Sequence, residues 1–317
     1  MHSWCIYECR KFFFLLSLFL LIPSVFAQND QVSIRNTEVT VLVTAMPHND
    51  RTRSIADRLQ PTDFEVLEEK RPQGIISVKK AAEAPIILAV LIQDNLIGRV
   101  NNELGEIRDF IKDLPDGSLV MTAYISTGTL RVRQEFTSDK QKAADSLRIL
   151  LSSDIATPFS PYLQVTDALK MFDDQPKDAR RMLLMISDGL DDTIGLRRSS
   201  PSFSAYLDQT IAEAQRRGVA VFTIYAPGVG RTRYYRHAVN YGQGSLLKFS
   251  DATGGEAFFS GIGFVSFNPY FREYNELLKN QWLITYKSNN TKKGFRKIEV
   301  TTDFDIHLHH TAGYRMK

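Results

Sequence analysis

The feature that most constrains the fold is a set of short, wholly apolar segments separated by amphipathic ones. Residues 86–92 (IILAVLI) and 182–186 (MLLMI) contain no polar side chain. Strands that are apolar on both faces are typical of parallel sheets covered by helices on both sides. Apolar residues at helical spacing predict helices over 100–114 and 204–217, and a further helix is expected over 246–253. The polar residues 48–51 are expected to form a loop. We therefore expect a doubly wound α/β domain with a mostly parallel sheet flanked by helices, of the Rossmann-like kind.

A different pattern occupies the two ends of the chain. Alternation of polar and apolar residues predicts half-buried strands at 38–44, 63–69, 281–286 and 295–301. Strands near the N-terminus need partners, so we expect both ends to build one small β domain around the α/β domain. The predicted division is an N-terminal β segment (28–81), an α/β domain (82–280) and C-terminal strands (281–317).

The first 27 residues have the pattern of a secretory signal peptide. Arg10 and Lys11 precede an apolar run at 12–22 that contains one polar residue, Ser17, and Val25 and Ala27 are suited to positions −3 and −1 of a cleavage site. The run is too short to span a bilayer, which needs about 20 residues. We expect an exported protein, periplasmic or extracellular, whose mature chain does not span a membrane. The alternative is an N-terminal membrane anchor.

Cysteine and charge exclude several classes of function. The chain's two cysteines, Cys5 and Cys9, lie in the predicted signal peptide, so a processed chain would have no thiol nucleophile, disulfide or thiolate metal ligand. Its 39 basic and 36 acidic residues are a weak electrostatic footprint for nucleic acid. No Gly-x-Ser-x-Gly nucleophile motif occurs. We expect neither catalytic residues nor a nucleic-acid partner.

Two acidic loops follow the apolar strands. Asp94 comes after 86–92 and Asp188 after 182–186. Because the carboxyl ends of parallel strands meet at one edge of a sheet, the two carboxylates are expected there and could hold a hard cation. Five further residues are expected to line this edge and contact a partner: Asn95, Thr157, Ser160, Asp191 and Asp192.

These loops carry a resemblance to a known family. A buried strand ending in Asp94, an amphipathic helix and a later strand ending in Ser187-Asp188-Gly189 resemble a von Willebrand factor type A (VWA) domain. The chain is most similar to bacterial exported "VWFA-related" proteins of the acidobacterial type, from about residue 36 to the C-terminus. Further matches are Asp63-Phe64-Glu65-Val66-Leu67-Glu68, Thr253-Gly254-Gly255, and Phe295-Arg296-Lys297-Ile298-Glu299-Val300 leading to Gly313-Tyr314. The resemblance implies recognition of a protein partner at the carboxyl edge of the sheet.

The sequence departs from the family at its metal-ion-dependent adhesion site. The family's Asp-x-Ser-x-Ser motif supplies two hydroxyl ligands to Mg²⁺. Here Asp94 is kept, but the serine positions fall on Leu96 and Gly98, whose side chains have no oxygen. Thr157 and Ser160 are the candidates for the site's threonine, and Asp188 matches its late aspartate. Since Mg²⁺ demands near-octahedral oxygen coordination, we expect a degenerate site, no cofactor and metal-independent binding in the bacterial envelope.

An alternative remains open at this stage. The chain could be a divalent-metal-dependent adhesion protein or hydrolytic enzyme that uses Asp94 and Asp188, with Mg²⁺ as the possible ion. His307 and His309 lie on one face of a predicted strand and form a second, incomplete metal pair. The basic and aromatic run 231–237 (RTRYYRH) is predicted to be a loop that contacts a protein.

Overall fold

The computed structural model describes residues 37–316, apart from 48–49, 82–83, 154–157, 178, 194, 260, 262 and 291. The predicted signal peptide and Thr157 therefore lie outside the described residues. From Arg35 onward the chain forms one compact unit.

The described strands are β1 (Thr37–Met46), β2 (Glu65–Glu68), β3 (Arg71–Pro72), β4 (Gly74–Lys80), β5 (Ile86–Gln93), β6 (Leu119–Ser126), β7 (Thr129–Thr137), β8 (Arg180–Ser187), β9 (Ala220–Tyr225), β10 (Ala257–Phe258), β11 (Gln281–Ser288), β12 (Gly294–Thr301), β13 (His307–His310) and β14 (Gly313–Met316). The described α-helices are α1 (Asp50–Arg58), α2 (Leu104–Lys112), α3 (Lys140–Asp145), α4 (Pro161–Lys170), α5 (Ala205–Arg217), α6 (Arg231–Tyr234), α7 (Arg236–Thr253) and α8 (Asn268–Lys279).

The central sheet confirms the predicted fold class. Its strand order is β10-β9-β8-β5-β6-β7, and every pair is parallel except β6 with β7. All residues of β5 and β8 are buried. Alternate residues of β5 belong to separate apolar clusters on the two faces of the sheet, with Leu88 on one and Ala89 on the other. Helices α2, α3 and α8 pack on the first face, and α4, α5 and α7 on the second.

The two ends of the chain pair as the sequence predicted. One antiparallel sheet has the order β13-β1-β11-β4, and another has the order β14-β12-β2-β3. Strand β1 runs against β11 from the pair Thr37 and Ser288 to the pair Thr44 and Gln281. Apolar residues from both ends, including Val43 and Trp282, form a third buried cluster. Each sheet thus joins N-terminal to C-terminal strands.

One buried arginine fastens the two places where the chain passes between these sheets and the central one. Arg180, at the start of β8, is 1% exposed. Its guanidinium donates to the carbonyl oxygens of Ala81 and Ala84 after β4. It also donates to Leu278 O at 3.2 Å and to Gln281 Oε1 at 2.7 and 3.1 Å, at the entry to β11. The charge is solvated by oxygens from both connections, which fixes them against β8.

Three helical segments differ from the prediction. The segment beginning near Asp50 was expected to be a loop but forms α1, and the run 231–237 forms α6 and the first turn of α7. Helix α7 was predicted only from residue 246 but begins at Arg236. Gly242 and Gly244 lie inside it, and glycine normally weakens a helix interior. Among the described residues, no helix is both long and apolar enough to cross a bilayer.

Candidate functional site

The Asp94 carboxylate at the end of β5 is fully engaged. Arg148 donates to it through both terminal nitrogens, with Nη1 2.9 Å from Oδ1 and Nη2 2.7 Å from Oδ2. Ser126 Oγ donates to Oδ2 at 3.1 Å, and the Leu151 amide donates to Oδ1 at 3.0 Å. This fork-to-fork geometry is the strongest arrangement available to an arginine and a carboxylate. Both carboxylate oxygens are thereby turned toward protein donors.

Arg148 is itself held in place from several sides. Its guanidinium carbon lies 4.1 Å from the centre of the Tyr124 ring. The Tyr124 hydroxyl donates to Arg148 O at 2.7 Å and accepts from Arg148 N at 2.8 Å. Arg148 Nη1 also donates to Ile149 O at 2.7 Å. The cation is positioned before any ligand arrives, because ring, backbone and carboxylate all constrain it.

The electrostatics of Asp94 follow from this pairing. Burial acts to raise the pKa of Asp94, but the hydrogen bonds and charge of Arg148, together with the Leu151 amide, outweigh it and leave the pKa below its ordinary value. The pairing in turn raises the pKa of Arg148. The site therefore contains an ion pair over the whole physiological pH range.

Asp188, at the end of β8, has no cationic partner among the described residues. Gln93 Nε2 donates to its Oδ1 at 3.1 Å, the Leu190 amide donates to Oδ1 at 3.2 Å, and Thr232 Oγ1 donates to Oδ2 at 2.9 Å. The side chain is 6% exposed. Burial raises the pKa of Asp188, and these neutral donors only partly oppose the shift.

Two glycines allow the chain to close over Asp188. A Cβ on Gly228 would lie 2.4 Å from Asp188 Oδ2, and a Cβ on Gly242 would lie 2.0 Å from Asp188 O. Only glycine permits such approaches, so the loop after β9 and helix α7 both contact the aspartate directly. The loop is also tied down by a backbone bridge between Leu96 and Gly228.

The donor set at this edge does not suit Mg²⁺. Leu96 is fully buried in the apolar cluster on one face of the sheet, and Gly98 has no side chain to contribute. The oxygens of Asp94 face Arg148, while those of Asp188 face Gln93, Leu190 and Thr232. Mg²⁺ would have to displace a bound guanidinium and would still lack the two hydroxyl ligands that the serine positions, here Leu96 and Gly98, would supply to an octahedral shell.

The predicted partner-contact residues divide between surface and interior. Asn95 and Asp192 are half-buried at the edge, with Asn95 Oδ1 accepting from Gln93 and Asp192 Oδ1 from the Phe159 amide. Ser160 and Asp191 are each only 2% exposed.

Ser160 and Asp191, which were expected to line the edge and contact a partner, lie beneath its surface. Asp191 accepts from Ser204 Oγ at 2.5 Å and Thr193 Oγ1 at 2.6 Å. Ser204 is the N-cap of α5, so Asp191 orders a helix start. Ser160 precedes α4, and its buried Oγ has no hydrogen-bond partner among the described residues.

Sequence reasoning missed the segment that surrounds Arg148. Ile149 is 70% and Leu151 is 60% exposed, while Leu150 between them is 4% exposed. The Leu150 amide donates to Asn101 Oδ1 at 2.8 Å, and the Ser152 amide donates to Asp94 O at 3.0 Å. The segment thus holds two large aliphatic side chains out toward solvent from a fixed backbone. Only the run of aliphatic residues in the sequence could have signalled it.

A groove of about 630 Å³ adjoins this segment. Ile97, Val229 and Phe264 contribute apolar surface to it, and Arg99 and Ser152 contribute polar groups. The carboxyl edge of the sheet therefore offers an apolar and basic surface beside the buried ion pair.

The histidine pair does not form a metal centre in this arrangement. The His307 and His309 rings lie 6.1 Å apart, and His309 Nε2 is 2.6 Å from Gly255 O. His310 Nε2 accepts from the Val300 amide, and burial lowers the pKa of His310. Within the described ranges, no three His, Cys, Asp or Glu side chains are placed to hold one metal ion.

Comparisons with known proteins show similarity at the level of fold. No family model and no curated protein matches the chain. Among solved structures, it is similar to the conserved hypothetical protein BatB from Bacteroides thetaiotaomicron, with a TM-score of 0.42 and 13% identity over 61% of this chain and 96% of that one. It is also similar to the SpRpn10 VWA domain, with a TM-score of 0.37 and 13% identity over 57% of this chain and 99% of that one.

A third similar structure is human Sec24c, a COPII-coat protein, with a TM-score of 0.43 and 7% identity over 73% of this chain and 43% of that one. The strand order and layers observed directly in this chain describe a Rossmann-like, doubly wound α/β module with added antiparallel sheets.

Proposed function

We propose that this chain is an exported, non-enzymatic VWA-like module that recognises a protein partner at the carboxyl edge of its central sheet without a metal ion. The observation that carries the proposal is the Arg148 guanidinium bound to both oxygens of Asp94. The family to which the chain is similar places a metal ion beside this aspartate. In this chain the guanidinium of Arg148 is bound to that carboxylate instead.

Export is the part of the proposal that rests on sequence. The apolar run 12–22 and the small residues at Val25 and Ala27 support cleavage and a periplasmic or extracellular location. The non-enzymatic assignment is supported by the chemistry of the edge. Asp188 is enclosed by neutral donors, and Asp94 is neutralised by Arg148, so neither carboxylate is free to act as a base.

The surface proposed for the partner is the one that Ile149 and Leu151 define. Large aliphatic side chains that are more than half exposed and held by a fixed backbone lose little entropy on binding. The adjoining groove adds Phe264 and Arg99. Asp94 and Arg148 lie beneath this surface, and their role in recognition is to hold it in shape.

The test is affinity capture from the envelope fraction, comparing the unaltered chain with the double variant Ile149→Ser/Leu151→Ser. Both side chains are exposed, so the free energy of unfolding of the variant is expected to differ from that of the unaltered chain by no more than about 0.5 kcal/mol. Ile76→Ser, at a 52% exposed residue of β4, is the matched control on a different surface. We expect one protein to be retained by the unaltered chain and by the control, and lost by the double variant.

Capture in EDTA and in Mg²⁺ tests the second half of the proposal. Equal retention in the two buffers is the expected result. Retention by the double variant would place the partner elsewhere on the molecule, and retention that requires Mg²⁺ would overturn metal independence.

A further inference from the structure

A second cleft lies at the opposite, amino edge of the central sheet. It has a volume of about 510 Å³, within the range of small-molecule sites. Its walls are the start of β8, the turn after α4, the end of α5 and the strands β1 and β14. The cleft therefore lies where the antiparallel sheets meet the α/β layers, far along the strands from Asp94 and Asp188.

The lining of this cleft is strongly cationic. Five basic side chains line it, against two acidic ones, Glu38 and Asp173. Glu213 is a neighbouring acid that reaches two of the arginines, and an excess of two positive charges remains when it is counted. The five basic residues are Lys177, Arg181, Arg216, Arg217 and Arg315.

Two of these three acids, Asp173 and Glu213, are already paired with arginines. Asp173 accepts from Arg217 Nε and Nη2, each at 2.9 Å. Glu213 Oε2 pairs with Arg216 at 2.7 Å and also with Arg217. Within the described part of the chain, Lys177, Arg181 and Arg315 lie in no ion pair at 4.0 Å or less. Set against the remaining acid, Glu38, these three cations leave the excess of two positive charges in the cleft.

One of these positive charges, that of Arg181, is energetically unfavourable because the side chain is buried. It is 5% exposed, and its two terminal nitrogens donate to Arg217 O and Phe172 O, near the ends of α5 and α4. Its buried Nε has no hydrogen-bond partner among the described residues. Carbonyls near helix C-termini offset part of a buried positive charge. Burial nevertheless lowers the pKa of Arg181 to about 10, which indicates that the charged form lacks full compensation.

We propose that this cleft binds a small phosphate-bearing molecule, whose anionic group is held by Lys177 and Arg315 at the mouth, above the buried Arg181. Guanidinium groups match phosphate oxygens in pairs, and lysine adds a compact point charge. A phosphate group carries more than one negative charge near neutral pH, which matches the excess in the cleft better than a single carboxylate. The volume is much larger than one phosphate, so the ligand has an organic body.

The test is calorimetric titration of the purified chain with inorganic pyrophosphate at constant ionic strength. The test variant is Lys177→Gln/Arg315→Gln, which removes the two exposed cations and leaves the helix contacts of Arg181 intact. The matched control is Arg131→Gln/Arg133→Gln, which removes the same charge from the exposed face of β7. We expect one saturable site, at least tenfold weaker binding in the test variant, and binding within twofold in the control.

Two further arms identify the source of the phosphate. Sedimentation with vesicles that contain phosphatidic acid, a phosphomonoester lipid, assigns a lipid headgroup if it is lost in the test variant, and pyrophosphate binding without vesicle binding assigns a soluble compound. Either result sustains the site. Absence of saturable binding, equal weakening in both double variants, or citrate binding as tight as pyrophosphate would overturn the proposal.

Discussion

Asp94 and Asp188 follow neighbouring parallel strands, yet the pKa values of their carboxylates are shifted in opposite directions. Asp94 meets a guanidinium through two hydrogen bonds, and its pKa falls below the ordinary value although burial acts to raise it. Asp188 meets an amide, a hydroxyl and a backbone N–H, and burial raises its pKa. The difference shows that a cationic partner reverses the pKa shift that burial produces in a carboxylate at this edge.

The contrast has a structural consequence. Asp94 and Arg148 form a junction to which the segment carrying Ile149 and Leu151 is attached. Asp188 instead lies in the interior, where Gly228 and Gly242 pack directly against it. One carboxylate thus organises a surface, and the other organises an interior contact.

The largest effect is expected on removing the cation from Asp94. Arg148→Met keeps much of the aliphatic bulk but leaves a buried carboxylate with no counter-charge. Breaking a buried pair from one side costs about 3–5 kcal/mol, and because Arg148 is partly exposed we expect about 3 kcal/mol in urea unfolding. Arg133→Met, on the exposed strand β7, should change the free energy of unfolding by less than about 0.5 kcal/mol. Similar values for the two variants would contradict the role given to the ion pair.

A smaller effect is expected when each aspartate is neutralised in turn. Asp188→Asn keeps the size of the side chain and disturbs only hydrogen bonds to neutral groups, so we expect a loss of about 1 kcal/mol. Asp94→Asn leaves the guanidinium of Arg148 without its carboxylate, but Arg148 is partly exposed and can be solvated, so the loss should be about 2 kcal/mol. Unfolding of both variants in urea at pH 7 measures the difference. An equal or larger loss in Asp188→Asn would show that the ion pair of Asp94 is not the stronger of the two sets of interactions.

The pH dependence of stability should separate the two residues further. The folded pKa of Asp94 lies below its unfolded value, so its contribution is complete above about pH 4 and is lost as the pH falls through the folded pKa. The folded pKa of Asp188 is raised, so stability declines as the pH rises from about 4 through that pKa. Asp188→Asn should abolish this decline, and Asp94→Asn should reduce the acid loss.

Urea midpoints measured from pH 3 to 7 for the unaltered chain and the two variants give the slopes. The effect is the smallest of the three because each slope reflects one group. Identical pH profiles for Asp94→Asn and Asp188→Asn would show that the carboxylates are not held in different states.

The sequence predicted those parts of the molecule whose signal is local. Wholly apolar runs identified β5 and β8, and the alternation at both chain ends predicted strands that do pair with one another. Helix α1 was missed because its exposed positions are polar and Ala56 is its buried apolar residue. The early start of α7 was missed because Gly242 reads as a helix breaker until its contact with Asp188 is known.

The candidate site was predicted only in part, for a similar reason. The positions of Asp94 and Asp188 follow from the ends of their strands. Arg148, however, is 54 residues from Asp94, and no spacing rule connects them. Asp191 was expected to line the edge because it follows the strand that ends at Asp188, whereas hydrogen bonds from Ser204 and Thr193 hold it in the interior. Tertiary partners decide the state of such residues, and a single sequence does not reveal those partners.

The central claim is that Arg148 occupies the carboxylate a metal ion would need. It is tested most directly by thermal unfolding of the chain in EDTA and in millimolar Mg²⁺ or Mn²⁺ at constant ionic strength. Specific binding to the folded state must raise the unfolding temperature. We expect the same unfolding temperature in all three buffers. A saturable upward shift with either ion that disappears in Asp94→Asn would show instead that a metal ion binds at this carboxylate.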